Sequence, residues 1–182
     1  MTDHEGSTFR FAHLSDLHLS DLAAIPWRRL LSKRAQGYLS WRHRRRHEHR
    51  PEVLAALRAD LLAHAPDHIV ITGDLTNIAL PEEFLSARRW LQSIGTADQV
   101  TVIPGNHDRY VRTVWEESCG QWSEFMRSDD PAPARAADDI FPLLRVRGGV
   151  AFIGLDSAIP APPFMAIGRL GATQLARLET ML

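Results

Sequence analysis

The sequence predicts an α/β fold in which a mostly parallel sheet carries helices on its faces and a β-hairpin follows. Two observations support this prediction. Short apolar, β-branched runs alternate with segments of helical periodicity, and Gly148 and Gly149 separate the two apolar runs that come next. Alternation of strand and helix favours parallel pairing, and a glycine pair between two apolar runs favours a tight turn.

Length and composition fit a single domain. The chain has 182 residues, 45% of them hydrophobic, which is enough for one core and too little for two. We therefore predict one domain over residues 1–182, with an arginine-rich insertion at about residues 21–50. The 21 basic and 22 acidic residues nearly balance, so net charge gives no indication of a polyanionic partner.

Residue usage indicates a bacterial, cytoplasmic protein. Lys33 is the single lysine among many arginines, and alanine is abundant, as a GC-rich bacterial gene would encode. Cys119 has no second cysteine with which to form an internal disulfide, which favours a reducing compartment and a role in the core. We find neither a secretion signal nor an apolar run of the ~20 residues that a membrane span needs.

The strands and helices each have a local signal. Apolar runs that stop at a polar loop or a glycine predict three strands, at residues 9–14, 68–72 and 100–103. Helical segments are predicted at residues 51–65, 81–95, 111–127 and 171–182. Pro51 and Pro81 suit the first turns of two of them, and Gly95 suits a helix end. The hairpin is predicted to join residues 143–147 to residues 150–155.

Polar residues follow all three predicted parallel strands. The sequence reads SDLH at residues 15–18, GDLTN at residues 73–77 and GNHD at residues 105–108. Since the carboxyl ends of parallel strands form one edge of a sheet, these three loops should meet there. The side chains brought together would be those of Asp16, His18, Asp74, Asn106 and His107.

Their chemistry favours a metal site. Asp16 and His18 are two positions apart, so they can face the same side and bind one ion. Asp74 can bridge two ions through its two oxygens, and Asn106 can offer a carbonyl oxygen to the second. Paired ions suit hydrolysis of a phosphate ester. His107 could then reach the leaving group as an acid or a charge stabiliser.

Each motif alone also has a purely structural interpretation. An Asp-x-His sequence can form a capped turn, a Gly-Asp pair is often a turn, and Asn106 beside Gly105 could simply tolerate positive φ. The three together, in order and each after an apolar run, favour the chemical interpretation.

These segments, with HLSDLH at residues 13–18, resemble the calcineurin-like metallophosphoesterase family. The sequences FAHLSD at residues 11–16 and ITGDLT at residues 71–76, and the segment 170–182, are similar to its bacterial cyclic-nucleotide phosphodiesterases. The resemblance implies a four-layer α/β sandwich that holds two metal ions, Mn, Fe or Zn. It also implies a small phosphodiester substrate such as a 3′,5′-cyclic nucleotide.

The resemblance also implies roles for individual residues. Asp16 and His18 would bind the first metal, Asp74 would bridge, and Asn106 would bind the second. His107 would be the catalytic residue that assists the leaving group. His18, Asn106 and His107 would contact the substrate.

The family pattern adds further histidines, one in a later loop and two in a Gly-His-x-His motif. The last histidine in this sequence is His107. We therefore expect a fold that is incomplete at its carboxyl end, either as a fragment of a longer product, which we favour, or as a shortened relative. Such a chain would be weak or inactive alone, and a non-catalytic binding module is the alternative.

Two positions near the site leave open questions. Many phosphatases of the family have an acid three residues after the bridging aspartate, where this sequence has Asn77. Asn77 could orient His107 by a hydrogen bond but could not stabilise an imidazolium by charge. Asp108 could compensate as an acid, or it could simply be the N-cap of a helix.

The segment Arg42–Arg50 allows several interpretations. We favour a solvated insertion near the mouth of the site, since charge runs usually face water. The alternative is a surface for nucleic acid or an anionic membrane, anchored by Trp27, Tyr38 and Trp41. A third interpretation makes its histidines, His43, His47 and His49, substitute metal ligands.

Overall fold

A computed structural model describes residues 8–19, 22, 25–30, 32–43, 50–129, 139–162 and 165–182 of the protein. The strands are β1 (Phe11–Leu14), β2 (His68–Ile71), β3 (Val100–Val102), β4 (Leu143–Arg147) and β5 (Val150–Gly154). The α-helices are α1 (Lys33–His43), α2 (Pro51–His64), α3 (Pro81–Ile94) and α4 (Ala172–Met181). Within the described ranges, short 3-10 helices cover Trp27–Leu30, Trp115–Glu117 and Cys119–Met126.

The first three strands form one parallel sheet, in the order β1-β2-β3. The register aligns Leu14 with Ile71 and Ile71 with Val102, so the three strands end at nearly the same level. This confirms the predicted α/β architecture. It also places the three loops that follow the strands along one edge of the sheet.

The core lies between this sheet and α3. Ile71 and Val102 of the sheet are fully buried, and α3 buries Phe84, Leu91 and Ile94 on one face. A spacing of seven and then three residues keeps these side chains on one side of a helix. Cys119 is fully buried in the same core, as predicted.

The predicted helix ends match the structure closely. Pro51 and Pro81 are the first residues of α2 and α3. At this position an N–H would have no partner within the helix, so its absence in proline loses no hydrogen bond. Ala65 follows α2 in the left-handed region at φ 43°, and Gly95 follows α3.

The predicted helix at residues 111–127 is helical only between residues 115 and 126, where it forms two 3-10 helices instead of one α-helix. Ser118 interrupts it with φ −130° and ψ −126°, which no helix contains. Gly120 packs directly on the Trp115 carbonyl, where an added Cβ would lie 2.5 Å from the oxygen. This close packing of two short turns replaces regular helix geometry.

The predicted hairpin is confirmed. β4 and β5 pair antiparallel, and Gly148 and Gly149 turn between them with φ 54° and 79°. Both angles lie in the left-handed region that the preferred two-residue hairpin turn requires. After β5, Asp156 accepts a hydrogen bond at 2.8 Å from Arg109, which lies two residues beyond His107. The hairpin is thereby connected to the third loop of the sheet edge.

None of the described helices is long and apolar enough to cross a membrane.

Candidate metal centre

Three of the predicted site residues meet at the sheet edge. His18 follows β1, Asp74 follows β2 and His107 follows β3, and one potential ligand atom from each lies within 4.8 Å of the others. Only 5% of His18 and 8% of Asp74 are exposed, and His107 is half-buried. The three strand-end loops therefore bring these three side chains together, and their roles as metal ligands stay a prediction.

Asp16 and Asn106 flank this group. Both are exposed, and the Asp16 carboxylate is not among the atoms that meet within 4.8 Å. The backbone N–H of Asp16 nevertheless donates to the Gly73 carbonyl at 3.2 Å, so its loop runs beside the second loop. Asn106 precedes His107 in the third loop.

The site loops have unusual backbone geometry. Asp16, His18 and Asp74 all have positive φ, between 43° and 56°. Non-glycine residues are uncommon in this region and carry a strain of about 1–3 kcal/mol each, which the surrounding structure must offset. Two hydrogen bonds at 2.9 Å contribute, from the N–H groups of His18 and Leu19 to carbonyls of the second loop.

Both histidine rings are oriented by backbone carbonyls. Nδ1 of His18 lies 2.8 Å from the carbonyl oxygen of Thr76, and Nδ1 of His107 lies 2.6 Å from that of Asn77. Because a carbonyl only accepts, each ring carries its proton on Nδ1 and presents Nε2 to an ion or a substrate. The two rings meet edge to face with centroids 4.8 Å apart.

The hydrogen bond expected between Asn77 and His107 is present, but it comes from the backbone. The acceptor is the Asn77 carbonyl oxygen, which any residue at this position would supply. The carboxyl group that is absent at position 77 is therefore not needed to hold the ring in place.

Two glycines let the second and third loops touch. A Cβ on Gly73, which has φ 89°, would lie 2.1 Å from the Gly105 nitrogen. A Cβ on Gly105 would lie 2.2 Å from Oδ1 of Asp74. That same oxygen accepts the backbone N–H of His107 at 2.7 Å. The Asp74 carboxylate is thus joined directly to the backbone of His107.

Asp108 is not the N-cap of a helix, because no helix begins directly after it. It is fully buried and accepts the N–H groups of Asp74, Thr76 and Gly105 at 2.8 to 2.9 Å. Burial raises its pKa to about 7, with the charge of Asp74 adding to the rise and the amide donors opposing it. Asp108 therefore connects the second loop to the third through these hydrogen bonds.

The start of α1 packs against the site. The ammonium of Lys33 lies 4.1 Å from the centroid of the Tyr110 ring, and that ring stacks parallel to His107 at 5.6 Å. Gly37 faces Ile78 so closely that an added Cβ would lie 2.5 Å from its Cγ2. This part of the predicted insertion therefore lines one side of the site. No periodic pattern in the sequence predicted it.

The rest of the insertion is described only in part. Arg42, His43 and Arg50 are exposed, as expected for a solvated segment. Trp41 is 5% exposed and stacks with Tyr38 at 5.8 Å, so it is not available as a surface anchor, whereas Trp27 is 68% exposed. Arg44, Arg45, Arg46, His47 and His49 lie outside the described residues.

The donor set fits a transition-metal ion. The His18 imidazole and the Asp74 carboxylate are ligands that Mn, Fe and Zn accept, and the His107 imidazole lies beside them. The Nδ1 hydrogen bond of His18 to a carbonyl is the kind of outer contact that orients metal-binding histidines.

Comparison with known protein families gives a match over most of the chain. The family model described as calcineurin-like phosphoesterase matches residues 9–165, which include all three strand-end loops and the hairpin. No curated protein is similar enough in sequence to count as a relative.

Proposed function

The chain belongs to the calcineurin-like phosphoesterase family, which implies metal-dependent hydrolysis of phosphate esters, and we propose that its substrates are phosphodiesters. The observation that carries the proposal is the group formed by His18, Asp74 and His107, whose ligand atoms meet within 4.8 Å at the carboxyl edge of the sheet. Ligands bind at this edge in open parallel sheets.

We propose that the site holds two ions, of Mn, Fe or Zn. Asp16 and His18 would hold the first, Asp74 would bridge, and Asn106 would hold the second. Bound ions supply a water molecule of lowered pKa and neutralise charge on the phosphoryl oxygens. The backbone N–H of His107 supports this arrangement, since it fixes one oxygen of Asp74 at 2.7 Å.

His107 is the proposed catalytic residue. Its Nδ1 is engaged with the Asn77 carbonyl, so Nε2 is the atom that can exchange a proton with the leaving-group oxygen. The ring is held on two sides, by the edge contact with His18 and the parallel stack on Tyr110. A ring held in this way need not reorient before proton transfer. His18, Asn106 and His107 would also contact the substrate phosphate.

A small phosphodiester, such as a 3′,5′-cyclic nucleotide, is the proposed substrate. The support is the similarity of residues 11–16 and 71–76 to bacterial cyclic-nucleotide phosphodiesterases. A polymeric or membrane partner is less favoured because Trp41, one of its proposed anchors, is buried. We also propose that the protein works in the cytoplasm.

The test is hydrolysis of bis(p-nitrophenyl) phosphate by the chain with Mn. We expect slow, Mn-dependent turnover that Asp74→Asn removes, because this change takes away a bridging carboxylate. Asp60→Asn, in an exposed residue of α2, is the matched control and should leave the rate unchanged. Mn-dependent turnover that persists in Asp74→Asn would overturn the proposal.

The preference for diesters needs its own comparison. We expect bis(p-nitrophenyl) phosphate and a cyclic nucleotide to be hydrolysed faster than p-nitrophenyl phosphate. Faster hydrolysis of the monoester would show a phosphomonoesterase of the same family.

A further inference from the structure

The loop at residues 77–80, which connects the second site loop to α3, is buried but irregular. Asn77, Ile78, Ala79 and Leu80 are each at most 1% exposed. Ala79 also has φ 57°, in the left-handed region. Buried backbone N–H and C=O groups must find hydrogen-bond partners. Where no helix or sheet supplies them, side chains must do so.

A buried glutamate supplies the acceptors. Glu83, in the first turn of α3, is 2% exposed, and its carboxylate accepts the N–H groups of Asn77, Ile78 and Leu80 at 2.7, 3.1 and 3.0 Å. Its two oxygens share these three donors. Burial raises the pKa of Glu83, and the three amide donors oppose that rise.

An arginine from α1 supplies donors to the carbonyl groups of the same loop. Arg34 donates from Nε to the Ile78 carbonyl at 3.2 Å and from a terminal nitrogen to the Ala79 carbonyl at 2.7 Å. Glu83 therefore binds the amide groups of this loop while Arg34 binds its carbonyl groups. Together they fix it from two different helices.

The same loop orients the catalytic histidine. The carbonyl of Asn77 and the N–H of Ile78 belong to one planar peptide group. Its N–H is bound to Glu83 at 3.1 Å, and its oxygen accepts the Nδ1 proton of His107 at 2.6 Å. A shift of this peptide would move the acceptor away from the ring. Hydrogen bonds on both sides of one peptide group also strengthen each other.

We propose that Glu83, supported by Arg34, is a positioning residue for His107, which it holds through the peptide group between Asn77 and Ile78. Through this peptide the buried acid of α3 serves in place of a carboxyl group at position 77. The inference rests on the proposed function for its effect on turnover. Its effect on the His107 ring stands on the contacts alone.

The test combines heteronuclear NMR of the histidine ring nitrogens with steady-state kinetics. His107→Gln identifies the His107 signals. In the unsubstituted chain we expect the Nδ1–H tautomer. Glu83→Gln places an amide NH2 group among three N–H donors, so the loop should shift and Nε2–H tautomer should appear. The matched control is Glu82→Gln. Glu82 is exposed, and among the described ion pairs it pairs only with the exposed Arg29, at 3.0 Å.

Loss of the positioning role should change kcat much more than KM. Glu83→Gln should lower kcat about tenfold with KM within about twofold, because it removes part of an acid–base contribution. The loss should be larger for an alkyl ester than for a p-nitrophenyl ester, since a poor leaving group needs the proton more. A defect of general stability would lower both rates by the same factor.

The outcomes separate the inference from the proposed function. A folded Glu83→Gln variant with an unchanged His107 tautomer would overturn the inference. If this variant does not fold, Arg34→Met is tested instead, because Arg34 is only partly buried. The Nε2–H tautomer of His107 should appear in it, and an unchanged tautomer would overturn the inference. A tautomer change without turnover in the unsubstituted chain would uphold the positioning role and remove the phosphodiesterase function.

Discussion

At the level of single residues, the candidate metal centre depends on how closely two backbone loops approach. Gly73 and Gly105 lie against each other, and Gly105 also lies against the Asp74 carboxylate. Any side chain at either position would separate the loops that carry the ligands. Glycine is required here by contact distance, and at Gly73 by its φ of 89° as well.

Gly105→Ala should therefore weaken Mn binding. The added Cβ would lie 2.2 Å from Oδ1 of Asp74, so the carboxylate must move away from the His107 N–H. We expect about a tenfold loss of affinity or more, as for other contacts that orient metal ligands, measured by calorimetry.

Gly171→Ala is the matched control for this substitution. An added Cβ at Gly171 meets nothing within 4 Å, so Mn affinity should not change. A folded Gly105→Ala protein that binds Mn as tightly as the unsubstituted chain would show that the ligands do not depend on this approach.

Candidate site residues could be selected from the sequence where they follow a strand. Residues whose role depends on contacts formed by folding could not. Asp16, His18, Asp74, Asn106 and His107 could be selected because each ends an apolar run. The roles of Asp108 and Glu83 could not, since their partners are backbone amides of loops distant in sequence. No residue pattern encodes which amides a buried carboxylate will meet.

At the level of elements, a buried arginine holds the hairpin to the parallel sheet. Arg145 of β4 is 2% exposed and donates to the carbonyls of Ala97, Val100 and Arg127 at 2.6 to 2.7 Å. Val100 begins β3, Ala97 lies in the turn before it, and Arg127 follows the 3-10 helix Cys119–Met126. One side chain thus connects three segments.

Arg145→Met should reduce the free energy of unfolding by about 3 kcal/mol, because one buried and two partly buried carbonyls lose a charged donor. Urea unfolding followed by circular dichroism measures this change. Arg147→Met is the control on the same strand. Its guanidinium pairs with the exposed Asp129 at 2.7 Å, and such a pair contributes about 1 kcal/mol or less. Equal effects of the two substitutions would contradict the assigned role of Arg145.

Elements with strong local signals were predicted closely, and the others were not. The prolines before α2 and α3 and the glycine pair of the hairpin fix those elements through backbone geometry alone. The segment 111–127 has helical composition, but packing of Gly120 on Trp115 converts it into 3-10 turns. Such tertiary contacts override local preference.

At the level of the whole molecule, a buried histidine links stability to pH. His68 in the central strand is fully buried, with Nε2 2.8 Å from the Thr101 hydroxyl and Nδ1 without a hydrogen-bond partner among the described residues. Burial lowers its pKa from 6.5 to about 4, and the charges of Arg145 and Arg147 add to the effect.

The folded protein should lose stability as the pH falls from 6.5 towards 4. In this range the unfolded chain binds a proton at His68 that the folded chain does not, so the free energy of unfolding declines with falling pH. The full contribution is up to roughly 3 kcal/mol. Urea unfolding at several pH values should show a weaker decline in His68→Gln. The control His64→Gln, in an exposed histidine of α2, should follow the unsubstituted chain. An identical decline in His68→Gln would exclude His68 as the cause.

The architecture as a whole could be predicted because alternation of strands and helices favours a parallel sheet and a glycine pair favours a hairpin. The parallel sheet β1-β2-β3 and the separate hairpin match that prediction. The packing of α1 against the site through Lys33 and Gly37 did not follow from it, since an arginine-rich segment indicates solvent exposure from composition alone.

We infer that the loops after β1, β2 and β3 form one metal centre. Calorimetric titration of the folded chain with Mn is the decisive experiment for this inference. We predict saturable binding that weakens at least tenfold in Asp74→Asn and in His18→Gln and stays unchanged in Asp60→Asn. The absence of saturable binding, or equal affinity in the Asp74→Asn protein, would contradict it.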